Sequence, residues 1–415
     1  MPRPSDGRRF RGKGRRALPV FEKWGPVEAS QGITIFLLLG VAQGLFLAVL
    51  LLTRRENAAA NRLLAAAMAA FAVFLAEVAL YAGDHFREFP HLIGISQPVV
   101  YLFGPVIYLY ARTLSGDPGA LRRRSLLHFL PAALVIVYFL PFYLESGGEK
   151  IAYVEGILRD GSPPDLQVIE WLKVLHGTIY TLITFRVLGR YRRRLEENFS
   201  TLDRVNLGWL RWVLLGTMVT WLVALAQFAL ELVGVRMPTG DVNPVPLVLV
   251  VVVYLIGILG LRQPEVFWPP AVAENPRGDE PDRAQGPPAA KYRKSGLGPD
   301  HAAALEGDLL ETMEQEKPHL DSELTLRQLA DRLGWSPHNL SEVVNARLGA
   351  SFHDFVNAYR VEEAKRRLLD PKLANQTILA AALESGFRSK STFNKIFKRF
   401  TGSTPSEFRR DRTFA

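Results

Sequence analysis

No cysteine occurs anywhere in the 415 residues. Disulfides, thiolate metal sites and cysteine nucleophiles are therefore excluded, while the compartment stays open. Other chemistries are missing too: there is no glycine-rich phosphate loop, no metal-ligand cluster and no nucleophile motif. Nor is there an internal repeat of the kind that builds transporters. The first apolar run is not followed by a small-residue cleavage site, so it does not read as a signal peptide. Neither an enzyme nor a bound cofactor or metal is expected.

What the chain does have is a division. Hydrophobic residues make up 48% of it and charged residues 22%, which suggests two unlike parts rather than one uniform globule. The net charge of +9 fits nucleic acid or anionic lipid as a partner and says nothing of the fold.

Seven apolar stretches lie at about 32–53, 63–82, 92–111, 125–144, 171–189, 209–233 and 245–261. Each is close to the roughly 20 residues that cross a bilayer as a helix. Buried soluble helices are the alternative, but seven in a row with no polar face would have nothing to bury against water. Fourteen basic residues, among them Arg54, Arg122, Arg192 and Arg204, fall on one side of these spans, and five, among them Arg87 and Arg236, on the other. The excess marks the cytoplasmic side. The N-terminus is then outside and the C-terminus inside a bacterial inner membrane.

Residues 1–31 disagree, because this topology exports a tail rich in Lys and Arg. Three readings account for it: an over-extended reading frame, a tail outvoted by later loops, or a miscounted span. Polar residues within the spans are candidates for a signal-sensing site: Glu77, Gln97, Lys173, His176, Gln227 and Glu231. Buried charge in a bilayer tends to pair or to line a cavity, and Lys173 has Glu77 or Glu231 as prospective partners. The plainer reading puts all six at headgroup level. Residues 262–300, rich in proline and charge, read as a cytoplasmic linker. Its end, 291–297, is either a docking segment or a solvated stretch.

Order resumes at about 301. Residues 302–316 form an amphipathic pattern with Leu305, Leu309, Leu310 and Met313 on one face. Thr325 and Gln328 then make a capping box, Gly334 allows a tight turn, and Ser336-Pro337 starts a second helix running to about Leu348. Its outward residues are His338, Asn339, Ser341, Glu342 and Asn345. This is a helix-turn-helix pattern, about 325–348.

The pattern repeats at about 377–401. Ala382 and Gly386 keep the spacing of Ala330 and Gly334, 52 residues on. Ser389 and Ser391 are cap candidates. The second recognition helix points Phe393, Ile396, Phe397 and Phe400 inward. Lys390, Thr392, Asn394, Lys395 and Lys398 point outward. One such pattern is weak evidence; two in register are strong. Between them, 351–369 reads as a long helix with Phe352, Phe355, Val356, Tyr359, Ala364 and Leu368 buried. It would hold the recognition helices one DNA turn apart, about 34 Å. From Ser385 onward eight basic residues face only Glu407 and Asp411, so phosphate attraction is expected from the second unit. The first unit would supply polar readout, with Glu342 repelling phosphate or accepting from cytosine.

At Gly386-Phe387-Arg388-Ser389-Lys390-Ser391-Thr392-Phe393, Phe397-Lys398, Gly402-Ser403-Thr404-Pro405 and Phe408-Arg409 the chain resembles the AraC/XylS family of bacterial regulators, as it does at Arg360, Ala364 and Leu368-Leu369. The resemblance covers about the last 100 residues and departs from the family at Lys395 and Ala381. It implies a seven-helix domain (301–415) that binds promoter DNA and contacts RNA polymerase. Carried over by position, His338, Ser341 and Glu342 would meet DNA from the first unit, and Lys390, Ser391, Thr392, Asn394 and Lys395 from the second. Asn339, Asn345, Arg388 and Lys398 join them as DNA-binding candidates. The rest of the chain looks like that of multi-span members, so no sugar-binding cupin is implied.

The expected fold is all-α: a polytopic helical membrane domain (32–261) followed by a double helix-turn-helix DNA-binding domain. The expected function is a membrane-bound, sequence-specific transcription regulator sensing a small-molecule or envelope signal through its spans, with a homodimer as the prospective assembly. Two alternatives stand beside it: a transporter or other membrane protein with a regulatory DNA-binding tail, and a constitutively tethered regulator without ligand.

Overall fold

The structure, a computed structural model, describes residues 27–55, 57–160, 162–202, 207–232, 244–261 and 299–413. Among these the secondary structure is helical, with a single isolated antiparallel bridge between Phe199 and Thr325. Residues 1–26 of the basic tail, most of the expected 262–300 linker and the 291–297 segment lie outside the described residues. The chain divides into two compact units.

The first unit comprises Met1–Val187 and Gly208–Gln263. Its helices are α1 (Val27–Thr53), α2 (Ala58–Ala82), α3 (Ser96–Leu114), α4 (Leu130–Leu144), α5 (Gly147–Asp160), most of α6 (Pro164–Asn198), α7 (Gly208–Leu232) and α8 (Pro244–Leu261). Helix α2 presents small residues to its neighbours: Ala60, Ala65, Ala67, Ala72 and Ala79 are all buried. Against it Gly44 of α1 comes so near that an added Cβ would sit 3.2 Å from the Met68 carbonyl. Close approach through small residues is how helices pack where lipid removes the hydrophobic drive. Outward faces are apolar as well: Leu38, Phe46 and Leu52 on α1, Leu134 and Val137 on α4, and Leu222 on α7 are exposed. Against water such a surface would be an aggregation hazard; it suits hydrocarbon.

Five helical segments are long and apolar enough to cross a membrane: Gln31–Thr53, Ala58–Ala82, Pro90–Leu114, Arg123–Leu144 and Gly208–Gln227. The other two expected spans fall in α6 and α8. Helix α6 has 35 residues, but its apolar stretch is interrupted by Lys173, His176 and Arg186. Helix α8 is apolar along its 18 residues, and Val245–Ile256 is a shorter apolar segment among the described residues. Helix α5 was not foreseen; its region was read as a plain connection.

The second unit comprises Leu188–Leu207 and Pro264–Ala415. It therefore takes in the end of α6 and the residues after it, which the sequence reading assigned to the membrane half. Its further helices are α9 (Pro299–Gln315), α10 (Leu326–Leu333), α11 (Pro337–Glu342), α12 (Phe352–Leu369), α13 (Ile378–Glu384), α14 (Lys390–Thr401) and α15 (Pro405–Thr413). Two apolar cores form. Leu309, Met313, Leu329, Leu340, Val344, Phe352 and Val356 build the first. Val361, Ala364, Ala382, Phe387, Phe393 and Phe397 build the second. Helix α12 contributes to both.

Candidate nucleic-acid interface

Each helix-turn-helix is assembled by its caps. At α10 the Thr325 hydroxyl accepts from the Gln328 backbone amide at 3.2 Å, and the Gln328 side-chain Oε1 accepts from the Thr325 backbone amide at 2.8 Å. The capping box is complete. Gly334 closes α10 at φ +70°, a left-handed conformation suited to glycine. Ser336 then caps α11, accepting from the Asn339 amide at 3.1 Å. In the second unit Thr377 caps α13 (Ala380 amide, 3.0 Å) and Ser389 caps α14 (Thr392 amide, 3.2 Å). Gly386 turns at φ +85°. Of the two cap candidates at α14, Ser389 is the cap; Ser391 lies in the first turn, its hydroxyl 3.1 Å from that of Ser389.

Helix α14 presents Lys390, Ser391, Lys395 and Lys398 to solvent, with Thr392 and Asn394 half-buried at its flank. Among the described residues, none of the three lysines enters an ion pair. The neighbouring cations are engaged. Arg388 pairs with Glu323 at 2.7 Å, Arg399 with Asp354, and Arg409 donates to the Gln376 carbonyl at 2.7 Å. Burial pushes the Asp354 carboxyl up, but bonds from His353 and Arg399 outweigh that and hold it below its ordinary range. The basic excess is thus concentrated, as usable charge, on one face of α14.

Three sequence expectations need correction. Phe400 was placed inward with Phe393, Ile396 and Phe397, but it is 41% exposed. The core beneath α14 ends at Phe397 and Phe408. Phe400, one residue from the helix end, lies beyond it, with the Arg399 guanidinium over its ring. Glu342 was placed outward, but its side chain is only 12% exposed; it is drawn back along the helix, one oxygen 4.0 Å from His338 Nε2. His338 remains exposed, and Asn339, Ser341 and Asn345 are half-buried, the Asn345 amide donating to the Ser341 hydroxyl at 3.1 Å. The first recognition element is also not one α-helix to Leu348. After Glu342 it continues as a π turn, Val343–Arg347, tied to α9 by Arg347 and Glu306.

Sequence reasoning missed the polar interior of α12. His353, Asn357, Arg360 and Glu363 are all buried. The only forewarning was Arg360, quoted for family likeness alone. Arg360 makes five hydrogen bonds, and burial lowers its pKa to about 10. His319 is buried too, its ring over Tyr359, and burial lowers its pKa to about 4.

The polar residues of the first unit are brought together only in part. The Glu77 carboxylate accepts from the amides of Gly94 (2.7 Å) and Ser96 (2.6 Å) and from the Tyr81 hydroxyl (3.3 Å), pinning the entry to α3. Lys173 pairs with Glu170 and donates to the Gln97 side chain at 2.7 Å, not to Glu77. The His176 ring packs between Tyr101 and Tyr180, its Nε2 buried without a hydrogen-bond partner. Gln227 lies near the end of α7. The side chain of Glu231 is outside the described residues. One turn from His176, a cavity opens among α2, α3, α6, α7 and α8, lined by Phe103, Tyr180, Thr181, Thr217 and Trp221. Among the described residues no group of His, Asp and Glu could hold a metal ion.

A family profile described as a helix-turn-helix domain matches residues 329–411. An uncharacterized HTH-type transcriptional regulator of Staphylococcus aureus (strain COL) is 40% identical over 94 residues, 23% of this chain and 12% of that protein. One of strain MRSA252 is 39% identical over the same shares. One of Bacillus subtilis (strain 168) is 33% identical over 92 residues, 22% of this chain and 12% of the relative. The chain therefore spans about an eighth of the length of the curated relatives it matches. No solved structure matches.

Proposed function

We infer that this chain, a C-terminal helix-turn-helix domain on a bundle of apolar helices, is a membrane-bound, sequence-specific regulator of transcription. The observation that carries the reading is the exposed, unpaired lysine face of α14, in a double helix-turn-helix on the same chain as five apolar helices of spanning length. In this reading seven helices cross a bacterial inner membrane, α6 and α8 included, with the DNA-binding domain in the cytoplasm. Lys390, Lys395 and Lys398 meet phosphate. Ser391, Thr392 and Asn394 read bases from α14, and His338, Asn339 and Ser341 do so from α11. Promoter DNA and RNA polymerase are the partners, a homodimer is the working assembly, and no catalytic step is involved.

Chromatin crosslinking of the full-length protein in its host, beside a Lys390→Ala, Lys395→Ala variant, tests this. Discrete sites lost in the variant are expected. Sites that persist unchanged in the variant would sink the role of α14.

The full engagement of Glu77 and Lys173 by neighbouring groups favours one further reading, in which the spans anchor the regulator and bind no signal. Reporter output from Glu77→Gln and Lys173→Met variants separates the two: unchanged output supports anchoring, altered output supports sensing.

A further inference from the structure

Arg360 is 1% exposed, and the five acceptors of its guanidinium are carbonyl and hydroxyl oxygens. Nε donates to the His319 carbonyl (2.8 Å) and Nη2 to the Asp321 carbonyl (2.7 Å). Its other three bonds go to residues about 160 positions earlier: Nη1 to the Ser200 carbonyl (3.2 Å) and the Thr201 hydroxyl (3.1 Å), Nη2 to the Ser200 hydroxyl (2.9 Å). The same short segment is bonded on its other side. The Ser200 amide and hydroxyl donate to the Leu324 carbonyl (3.2 and 2.7 Å), and the Thr201 hydroxyl to that of Ser322 (2.7 Å). Asn357 donates to the Ser200 carbonyl at 3.0 Å. Phe199 pairs in antiparallel fashion with Thr325, the N-cap of the first helix-turn-helix. Without residues 199–201 a buried cation would keep two acceptors of five, a state with a large desolvation penalty.

The seat has a second neighbour. A Cβ on Gly386, in the turn of the second helix-turn-helix, would lie 2.3 Å from the His319 carbonyl oxygen and 3.1 Å from Arg360 Nε. The turn of the second unit and the N-cap of the first therefore both meet the segment that 199–201 holds down.

Residues 199–201 directly follow α6. At 35 residues that helix is about 52 Å long, against about 30 Å of hydrocarbon. Its last turns carry Arg190, Arg192, Arg193 and Arg194 and a buried stripe of Leu188, Tyr191 and Leu195.

We propose that residues 199–201 are a strap, seated on Arg360 and Asn357, through which α6 sets the relative placement of the two helix-turn-helix units. This rests on the reading of α6 as a span. A shift of α6 in the bilayer reaches both recognition helices through these three residues, not through the long segment that follows α8.

Hydrogen exchange on the full-length protein in lipid nanodiscs tests the strap. A Ser200→Ala, Thr201→Val variant removes its side-chain bonds and leaves its backbone intact. Exchange is expected to rise about tenfold at 319–325 and at 386–389 while 396–401 stays unchanged. Unchanged exchange, or an equal rise along the whole domain, overturns the proposal. The cysteine-free chain allows a second arm. Paired residues of an antiparallel bridge have Cα atoms about 4.5–5.5 Å apart, within disulfide range. A Phe199→Cys, Thr325→Cys variant, oxidised in membranes and cut at a protease site inserted within 264–298, should give fragments that stay joined until reduced. Fragments that part without reductant overturn it. Neither readout uses DNA, so the strap stands or falls separately from the regulator reading.

Discussion

The Arg388 guanidinium lies 2.7 Å from the Glu323 carboxylate. The residue just before the N-cap of α14 is thereby neutralised by one two residues before the N-cap of α10. Removing the acid should release a cation beside the recognition helix. Glu323→Gln is expected to tighten DNA binding at low salt and to steepen the log–log salt dependence by about 0.9, one further phosphate contact. Fluorescence anisotropy of labelled DNA with full-length protein across a salt series measures both. A slope equal to wild type would show that Arg388 stays away from phosphate.

The unpaired lysines should behave in the opposite sense. Alanine at Lys390, Lys395 or Lys398 is expected to flatten the same salt slope by about 0.9 each. Arg399→Ala, which removes a cation already paired with Asp354, should change it far less. Equal effects from all four substitutions would mean that the pairs seen in the free protein dissolve on DNA.

Two turn glycines separate conformational strain from collision. At Gly334 nothing lies within 4 Å of an added Cβ, so Gly334→Ala should cost only the left-handed backbone strain, about 1–2 kcal/mol. At Gly386 the same strain is joined by a 2.3 Å approach to the His319 carbonyl, and Gly386→Ala should exceed about 3 kcal/mol. Unfolding of the detergent-purified protein, followed by exchange at α12 peptides, ranks the two. Equal losses would contradict the packing described.

Acid should weaken the DNA-binding domain from below about pH 6.5. Buried His319 has its pKa lowered to about 4, whereas unfolded histidine titrates near 6.5. Between these values the unfolded chain binds more protons than the folded one, so stability falls as pH falls. From pH 7 to 5 the loss reaches about 2 kcal/mol for this group, and His319→Phe should remove it. A second loss belongs at lower pH. Burial pushes Glu363 up, but Arg366, Lys317 and Arg367 outweigh it and hold the carboxyl below its ordinary range. Its contribution is present above the unfolded carboxylate pKa and is lost as pH drops through the folded one. Stability that does not change between pH 7 and 5 would refute the histidine assignment.

The topology is open to fusion mapping. Alkaline phosphatase joined after Arg87 or Ser162 should be active, and joined after Arg122 or Leu202 inactive, if the basic side is cytoplasmic. An active fusion at Leu202 would remove α6 from the list of spans.

Local signals in the sequence carried the domain well. Thr325–Gln328, Ser336-Pro337 and Ser389 act within three or four residues, and their geometry follows from residue type. Apolar runs such as Gln31–Thr53 need only a count. What stayed hidden depends on partners distant in the chain. Nothing near Arg360 announces that its acceptors are Ser200 and Thr201. The spacing that puts Phe400 on the stripe of Phe393 and Phe397 does not reveal that the core stops short of it. Helix α5 is short and mixed in polarity, so neither hydropathy nor periodicity singles it out. Lys173 had Glu77 or Glu231 as prospective partners, and the fold instead gave it Glu170, three residues away on its own helix.

Helix α12 lends Phe352, Phe355 and Val356 to one core and Val361, Ala364 and Leu368 to the other. The two reading heads are thus beads on one axle and not faces of one block. Neither shares a hydrophobic filling with the other, so what ties them beyond the rod is polar, the Arg388–Glu323 pair and the carbonyls gathered on Arg360. Substitutions in the apolar packing beneath α11 would then leave the packing beneath α14 in place.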